Sequence, residues 1–271
     1  MKKVKAILSD VDGTLSDFES YVLPGVKPMI KKIQGKGVRF SLATGRPYYG
    51  SVKMIEKNLG IKGIHILQNG ATIFDSINNK ILIQHAISKE STEKIIKYLL
   101  DQKIIFSAEA NGNVYISKIF KENSFYPEIT NKSLDEFDHN GGILKMVIYA
   151  RANGLNEAGA DFHKKNLQKM CSDISIHHFK MFDFYGSDIN SEKATKHTGV
   201  LEYLKILNLS SDEVVAIGDG YNDYPLFTAC GFGIAMANAP KELKEISDLI
   251  VPLVKDGGMV EALKYIDVNL T

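Results

Sequence analysis

Three features are scarce in this sequence: cysteine, excess charge of either sign and long apolar runs. Its two cysteines, Cys171 and Cys230, cannot form a disulfide framework or a four-thiolate zinc site, so we expect buried free thiols. The 33 basic and 32 acidic residues nearly cancel, which offers no electrostatic attraction to nucleic acid or to an anionic membrane surface. No apolar run approaches the roughly 20 residues that cross a bilayer, so neither nucleic acid nor a membrane is an expected partner.

What the sequence does contain is typical of a globular protein. Its 271 residues, 44% of them hydrophobic, suffice for one large domain or two ordinary ones with a buried core. The basic N-terminus leads into a short apolar stretch that ends at Asp10. This stretch is too short for a secretory signal, so we expect a cytoplasmic protein, and a monomer or a weak homodimer.

Strand and helix patterns alternate at both ends of the chain. At the start, strands are predicted at 4–9, 38–43 and 63–67, and helices at 24–37 and 48–59. Near the end, strands are predicted at 214–217, 232–235 and 249–251, and helices at 198–207, 221–229, 241–246 and 259–266. Such alternation favours a doubly wound α/β fold, in which right-handed crossovers place helices on both faces of a parallel, Rossmann-like sheet.

The middle of the chain mixes helices with hairpins. Helices are predicted at 89–100 and 155–170, and strands at 104–108, 114–117, 144–150, 174–178 and 180–185, with a turn over 109–113. This mixture of helices and hairpins favours an antiparallel sheet. We therefore predict a core domain formed by residues 1–84 and 190–271, into which an α+β domain, residues 85–189, is inserted.

The first of three polar motifs follows the first predicted strand and reads Asp10-Val11-Asp12-Gly13-Thr14-Leu15. Ligands of open parallel sheets bind at the carboxyl ends of the strands, where Asp10 and Asp12 would lie. Asp-x-Asp alone is a weak signal, because a chain of this length contains about one by chance. A turn in which both carboxylates accept backbone N–H groups is the alternative interpretation.

Two further motifs follow predicted strands at the same edge. The first is Ala43-Thr44-Gly45-Arg46. The hydroxyl of Thr44 and the backbone N–H that follows it can donate to a phosphoryl oxygen. The alternative is that Thr44 is only a helix N-cap. The second is Gly218-Asp219-Gly220-Tyr221-Asn222-Asp223. Its carboxylates, together with Asp10, would form a hard oxygen site that suits Mg²⁺, although an Asp-capped glycine turn is the alternative.

An acidic site of this kind needs a lysine as well as a metal ion to bind a phosphate dianion. Two candidates, Lys193 and Lys196, precede the helix predicted at 198–207. We prefer Lys196, because it opens that helix, and Lys193 stays the alternative. Either could instead be a solvated lysine at a helix end.

These four segments, in this order, resemble the haloacid dehalogenase superfamily, and in particular its Cof-type, sugar-phosphatase-like branch. Asn69-Gly70-Ala71 and the segment 233–239 are similar to that branch as well, so the resemblance extends over the whole chain. The branch carries a large α/β cap between its second and third motifs, where residues 85–189 lie. The sequence departs from the pattern at His197, where a glycine usually follows the motif lysine.

The resemblance implies a Mg²⁺-dependent phosphatase that acts on a small phosphorylated metabolite, with sugar phosphates ahead of phosphorylated cofactors. Asp10 would be the nucleophile that forms an aspartyl-phosphate, and Asp12 the general acid and base. Mg²⁺ would be bound by Asp10, the backbone carbonyl of Asp12, and Asp219, with Asp223 orienting its water shell. The implied ligands of the phosphoryl oxygens are Thr44, Gly45, Lys196 and Asn222, and Arg46 either binds a second anionic group or braces its loop. The cap would act as a lid that sets the choice of substrate.

Two alternatives stay open. A phosphomutase of the phosphomannomutase type would hold a sugar bisphosphate, which calls for a cap rich in arginine, yet residues 85–189 contain only Arg151. A phosphometabolite sensor or phospho-switch would keep Asp10 and the metal ion, but it would not use Asp12 as an acid.

Overall fold

The computed structural model of the chain describes residues 3–17, 21–117, 131–138, 142–181 and 184–271. The chain divides into two units. The first unit comprises Met1–Ile83 and Thr195–Thr271, and the second unit comprises Gln84–Ala194. Within the described ranges, no helix is both long enough and apolar enough to cross a membrane.

Strands and helices alternate at both ends of the chain, and strands dominate the middle. In the described residues the strands are β1 (Ala6–Ser9), β2 (Arg39–Leu42), β3 (Ile64–Leu67), β4 (Thr72–Asp75), β5 (Lys80–Gln84), β6 (Phe106–Ala110), β7 (Asn113–Ile116), β8 (Asn131–Ser133), β9 (Lys145–Tyr149), β10 (Ile174–Met181), β11 (Phe184–Ser191), β12 (Val214–Gly218), β13 (Phe232–Met236) and β14 (Leu249–Val251). The helices are α1 (Val26–Gln34), α2 (Lys53–Leu59), α3 (Lys89–Asp101), α4 (Glu157–Met170), α5 (Lys196–Leu207), α6 (Tyr224–Ala229), α7 (Lys241–Glu245) and α8 (Gly258–Asn269).

A parallel sheet with strand order β14-β13-β12-β1-β2 forms the centre of the first unit. Strand β1 pairs with β12 and with β2, and its last residue, Ser9, lies opposite both Ile217 and Leu42. Every residue of β1 is buried, as expected for a strand that is covered on both faces. The carboxyl ends of β12, β1 and β2 therefore lie side by side at one edge of the sheet.

Apolar clusters cover both faces of this sheet. Because successive strand residues point to opposite faces, Ile7 belongs to one cluster and Ala6 and Leu8 to the other. The cluster around Ile7 includes residues of α1 and α8, and the other includes residues of α5, α6 and α7. The predicted doubly wound α/β core is confirmed.

The predicted place of the third strand is wrong in part. Strand β3 makes a single parallel bridge to the central sheet, between Ile66 and Ala43, and otherwise pairs antiparallel with β4 in a small sheet of order β3-β4-β5. Strands β4 and β5 were not predicted from the sequence. A tight turn with positive φ at Asn69 (60°) and Gly70 (99°) reverses the chain after β3, so β3 and β4 form a hairpin.

The second unit contains a sheet of order β10-β11-β9-β6-β7-β8, in which β7 and β8 pair in parallel and the other described pairs are antiparallel. One face packs in an apolar cluster with residues of α3 and α4. The predicted α+β insertion is confirmed.

Some details of the insertion differ from the prediction. Strand β6 runs to Ala110, and the turn is confined to Asn111 and Gly112, whose φ angles are 49° and 72°. Strand β8 was not predicted. Residues 182–183, within the strand predicted at 180–185, lie outside the described residues. Both cysteines are free, Cys171 buried and Cys230 partly buried.

A buried polar cluster joins α2 to β3 and β4 in the first unit. Tyr48 donates to Oε2 of Glu56 at 2.5 Å, and Nε2 of His65 lies 3.9 Å from Oε1 of Glu56. The backbone N–H of Leu42 donates to Nδ1 of His65, so the neutral ring carries its hydrogen on Nε2. Burial would raise the pKa of Glu56, but the hydrogen bond from Tyr48 and the nearby polar side chains of His65 and Ser76 outweigh it and lower the pKa to about 2.

Replacing Glu56 by Gln should lower the free energy of unfolding near neutral pH, and this loss should shrink in acid. The folded-state pKa of about 2 lies below the ordinary value of 4.5, so ionised Glu56 stabilises the folded protein above that value. This stabilisation, on the order of 2 kcal/mol, fades as the pH falls from there towards the folded-state pKa. Urea unfolding of Glu56→Gln between about pH 7 and about pH 3 measures it, with the exposed Glu245→Gln as control. An equal loss at both ends of the range would contradict the expectation.

Candidate active site

Three strand ends bring the polar motifs to one edge of the central sheet. Asp10 directly follows β1, and its backbone N–H donates to the carbonyl of Ile217 at 2.9 Å, which extends the pairing with β12 by one residue. Asp219 directly follows β12. Thr44 lies two residues after β2, and its N–H donates to the carbonyl of Ile66 at 2.9 Å. The predicted convergence of these strand ends therefore has a direct basis in the strand order.

A buried ammonium group lies between two carboxylates at this edge. Nζ of Lys196 is 2.6 Å from Oδ1 of Asp10 and 2.6 Å from Oδ1 of Asp223. The side chains of Lys196 and Asp223 are 1% and 0% exposed. Lys196 is the first residue of α5, and the hydroxyl of Thr195 caps this helix by accepting the N–H of Thr198 at 3.0 Å. We refer to Asp10, Lys196, Asp219 and Asp223 as the charge centre.

Asp223 also shapes the loop that carries Asp219. Its Oδ2 accepts the backbone N–H groups of Asp219 and Gly220, each at 2.9 Å, while its Oδ1 accepts Lys196. Both oxygens of Asp223 therefore have partners within the protein. The turn Tyr221–Asp223 is a 3₁₀ turn, so α6 begins at Tyr224 rather than at the predicted residue 221.

Neutral donors hold the carboxylate of Asp219. Thr14 donates to Oδ1 at 2.7 Å, and the side-chain amide of Asn238 donates to Oδ2 at 2.6 Å. Gly13 has a φ of 76°, and a Cβ at this position would lie only 2.4 Å from Oδ2 of Asp219. Neither Thr14 nor Asn238 was predicted to be a site residue, although Thr14 lies in the first motif and Asn238 in the segment 233–239.

The charge centre holds more negative than positive charge. Burial raises the pKa of Asp10 well above its ordinary value, Asp223 and Asp219 raise it further, and Lys196 offsets this only in part. Burial and the neighbouring Asp223 raise the pKa of Asp219 to about 7. Burial disfavours the charged form of Lys196, but Asp10 and Asp223 outweigh it and raise the pKa of the ammonium group. The charge centre thus contains three carboxylates and one ammonium group, which contacts two of them.

This set of groups fits a divalent cation. One carboxylate oxygen from each of Asp10, Asp219 and Asp223 lies within 4.8 Å of the other two. Carboxylate oxygens are the ligands that Mg²⁺ prefers, and a cation would relieve the repulsion that raises the pKa values of Asp10 and Asp219. Because Asp223 already serves Lys196 and two N–H groups, Asp10 and Asp219 are the better-placed side-chain ligands.

Asp12 lies beside Arg46 rather than beside Lys196. Nε of Arg46 donates to Oδ2 of Asp12 at 2.8 Å, and Nη2 of Arg46 donates to Oδ1. The side chain of Asp12 is 26% exposed, and that of Arg46 is 12% exposed. Thr44 is buried, and its Oγ1 accepts the N–H of Arg46 at 3.2 Å, so its own hydroxyl hydrogen can be donated to another group.

The remaining predicted residues occupy varied positions. Gly45 lies against Asn69, since a Cβ on Gly45 would be 3.0 Å from Oδ1 of that side chain. Asn222 is exposed, and no other residue in the described part of the chain forms a hydrogen bond with its side chain. Lys193 is exposed and belongs to the second unit, whereas Lys196 belongs to the first.

A sequence model of the haloacid dehalogenase-like hydrolases matches residues 7–263. The chain belongs to this family. Among similar proteins, "Phosphatase YwpJ" of Bacillus subtilis is 23% identical over 295 residues, which cover 97% of this chain and 100% of that protein. "Phosphoglycolate phosphatase" of Methanosarcina acetivorans is 27% identical over 270 residues, which cover 98% of each chain.

Solved structures of haloacid dehalogenase-like hydrolases share the fold. One from Bacteroides thetaiotaomicron has a TM-score of 0.84 at 21% identity, covering 97% of this chain and 100% of that one. The subclass IIB sugar phosphatase BT4131 has a TM-score of 0.78 at 21% identity, covering 97% and 99%. The predicted family, fold class and hydrolase class are confirmed, while the roles of individual site residues stay predictions.

Replacing Lys196 by Met should strongly destabilise the protein in the absence of metal ions. Removing one partner of a buried ion pair leaves the other charge without compensation, and this costs about 3 kcal/mol or more. Urea unfolding at neutral pH in the presence of EDTA measures the loss. Lys193→Met makes the same chemical change at an exposed position three residues away and should shift the free energy by less than about 0.5 kcal/mol. Equal effects of the two substitutions would contradict the assignment of Lys196 to the charge centre.

Proposed function

We propose that this hydrolase is a Mg²⁺-dependent phosphatase that cleaves the phosphate ester of a small metabolite, with sugar phosphates as the first candidates. The observation that carries the proposal is the carboxylate of Asp10, at the carboxyl end of β1, held 2.6 Å from the buried ammonium of Lys196. The names of the relatives support a phosphatase, and BT4131 supports a sugar phosphate as substrate.

In the first step, an oxygen of Asp10 attacks phosphorus. A bond forms between this oxygen and phosphorus, and the bond between phosphorus and the ester oxygen breaks. Asp12 gives its proton to the departing ester oxygen, so that an alcohol leaves rather than an alkoxide. The products of this step are the aspartyl-phosphate on Asp10, the free alcohol and ionised Asp12.

In the second step, water attacks the phosphorus of the aspartyl-phosphate. Asp12 takes a proton from the water, and the bond between phosphorus and the oxygen of Asp10 breaks. Inorganic phosphate leaves, and both aspartates return to their starting states. Two carboxylates with different tasks need different surroundings. Asp10 is buried against Lys196, whereas Asp12, beside Arg46, is more exposed to solvent.

Binding of the anionic substrate requires positive charge and hydrogen-bond donors. Lys196 neutralises Asp10, the hydroxyl of Thr44 and the N–H of Gly45 donate to phosphoryl oxygens, and the exposed amide of Asn222 completes the set. A Mg²⁺ ion held by Asp10, Asp219 and the carbonyl of Asp12 would supply the charge that lets an anionic nucleophile approach an anionic ester.

The second unit, as the insertion between the second and third motifs, is proposed to act as the lid and to set the choice of leaving group. The monomeric or weakly dimeric state and the cytoplasmic location stay predictions.

Purified protein should turn over an aryl phosphate in the presence of Mg²⁺, and Asp10→Asn should abolish this turnover because the amide cannot attack phosphorus. Release of the phenol, followed by absorbance, measures the rate. Asp101→Asn, an exposed substitution at the end of α3, is the control and should keep full activity. A stoichiometric phospho-adduct without turnover would instead favour the phospho-switch, and conversion of one sugar monophosphate into its isomer, activated by a sugar bisphosphate and without net release of phosphate, would favour the mutase.

Removal of divalent cations with EDTA should abolish turnover, and added Mg²⁺ should restore it. Asp219→Asn should raise the Mg²⁺ concentration for half-maximal activity by about tenfold or more, because an amide is a weaker ligand than a carboxylate. Mg²⁺ should also raise the melting temperature of the wild-type protein without substrate, and less so that of Asp219→Asn. Full activity in EDTA would contradict the metal assignment.

A further inference from the structure

The proposed general acid and base, Asp12, is paired with a guanidinium group. Two parallel hydrogen bonds join Nε and Nη2 of Arg46 to Oδ2 and Oδ1 of Asp12. This two-point geometry fixes the plane of the carboxylate as well as its distance from Arg46, which a single hydrogen bond cannot do. The orientation of the Asp12 side chain is therefore set by Arg46.

Arg46 is itself held in place. Its third side-chain nitrogen, Nη1, donates to Oγ of the buried Ser51 at 2.6 Å, and its backbone N–H donates to Thr44 at 3.2 Å. The chain contains only two other arginines, Arg39 and Arg151, among 33 basic residues. Most of the basic residues of this protein are lysines, whereas position 46 has an arginine, whose guanidinium group can donate two parallel hydrogen bonds to a carboxylate.

The paired carboxylate can still exchange a proton. Its two oxygens offer about four acceptor positions, and the two hydrogen bonds from Arg46 occupy one position on each oxygen. One position on each oxygen is left for the proton that passes to the leaving group or comes from water. The pairing thus orients Asp12 without blocking its proposed chemistry.

We propose that Arg46 is a positioning residue that acts through Asp12 rather than a ligand of the substrate phosphate, an inference that rests on the proposed function. Arg46 holds the carboxylic acid of Asp12 towards the ester oxygen. In the first step, the proton of Asp12 passes to this oxygen while its bond to phosphorus breaks and the bond from Asp10 forms. Loss of Arg46 therefore impairs proton delivery more than phosphate binding.

The identity of the leaving group separates these two roles. An alkyl ester releases a strongly basic alkoxide and needs the proton, whereas an aryl ester such as p-nitrophenyl phosphate releases a stable phenolate and needs it far less. The value of kcat/KM reports only steps up to the release of the alcohol, so the later role of Asp12 as a base does not affect it. General acid catalysis contributes about 10²- to 10⁴-fold to such a step.

The experiment compares kcat/KM for glycerol phosphate and for p-nitrophenyl phosphate, with Mg²⁺, in the wild-type protein, Arg46→Met, Arg46→Lys, Asp12→Asn and the double variant Asp12→Asn with Arg46→Met. We expect Arg46→Met to lower the alkyl value by about 10²-fold and the aryl value by less than about tenfold. Arg46→Lys should not rescue the alkyl value, because an ammonium cannot make the two-point contact. In the Asp12→Asn background, Arg46→Met should cause little further loss.

Two controls complete the design. Arg39→Met removes an exposed arginine from the first unit and should leave both values unchanged. Inhibition by inorganic phosphate should be nearly the same for Arg46→Met and the wild-type protein, because the phosphate ligands are intact.

Equal losses for both esters, with weaker inhibition by phosphate, would overturn the positioning role and leave the proposed phosphatase standing. An inactive wild-type protein would overturn the proposed function itself. Independently of turnover, a crystal structure of Arg46→Met in which the Asp12 carboxylate keeps its wild-type orientation would overturn the inference, and a changed orientation would support it.

Discussion

The first unit depends on one buried ammonium group that two carboxylates share. Charged groups lose favourable hydration on burial, and this loss is offset only when partners are close and well aligned. Lys196 meets this condition with two contacts of 2.6 Å, to Asp10 and Asp223. These two contacts require three features of the first unit. Helix α5 begins at residue 196, the side chain of Asp223 folds back towards the backbone of residues 219 and 220, and the ends of β1 and β12 are adjacent.

The donors around the charge centre differ in kind, and the difference determines where negative charge remains. Asp223 receives a cation and two backbone N–H groups, while the donors to Asp219 in the described residues are the neutral groups of Thr14 and Asn238. A neutral donor stabilises a carboxylate without cancelling its charge. Burial and repulsion therefore keep the pKa of Asp219 high, near 7, and a divalent ion is the partner that would lower it most.

The parts of the fold that follow from local pattern were predictable from the sequence. Alternating strands and helices predicted the parallel sheet, and a parallel sheet places Asp10 and Asp219 at one edge. The two-point contact between Asp12 and Arg46 was not predictable, because 34 residues separate them and neither spacing nor composition encodes the orientation of a side chain. The contact of Asp10 with Lys196 spans 186 residues, and it was the need for positive charge at an acidic site, together with the resemblance to a family, that pointed to it.

Two errors have definite physical causes. The turn at Asn69 and Gly70 is a hairpin signal, yet the surrounding alternation of strands and helices favoured a third parallel strand. Glu109 was placed in the turn predicted over 109–113. In the structure it is buried in β6, and its carboxylate lies 3.1 Å from Nζ of the buried Lys145, a compensation that one strand alone does not reveal.

The chain passes from the first unit into the second between residues 83 and 84, and it returns to the first unit between residues 194 and 195, immediately ahead of Lys196. Thr195 fixes this return point, since it caps α5 and its carbonyl oxygen would lie only 2.1 Å from a Cβ on Gly70. Among the residues that the structure describes, every donor and acceptor of the charge centre belongs to the first unit. Insertions of other lengths and sequences could therefore be spliced between these two junctions without changing any described group that contacts Asp10.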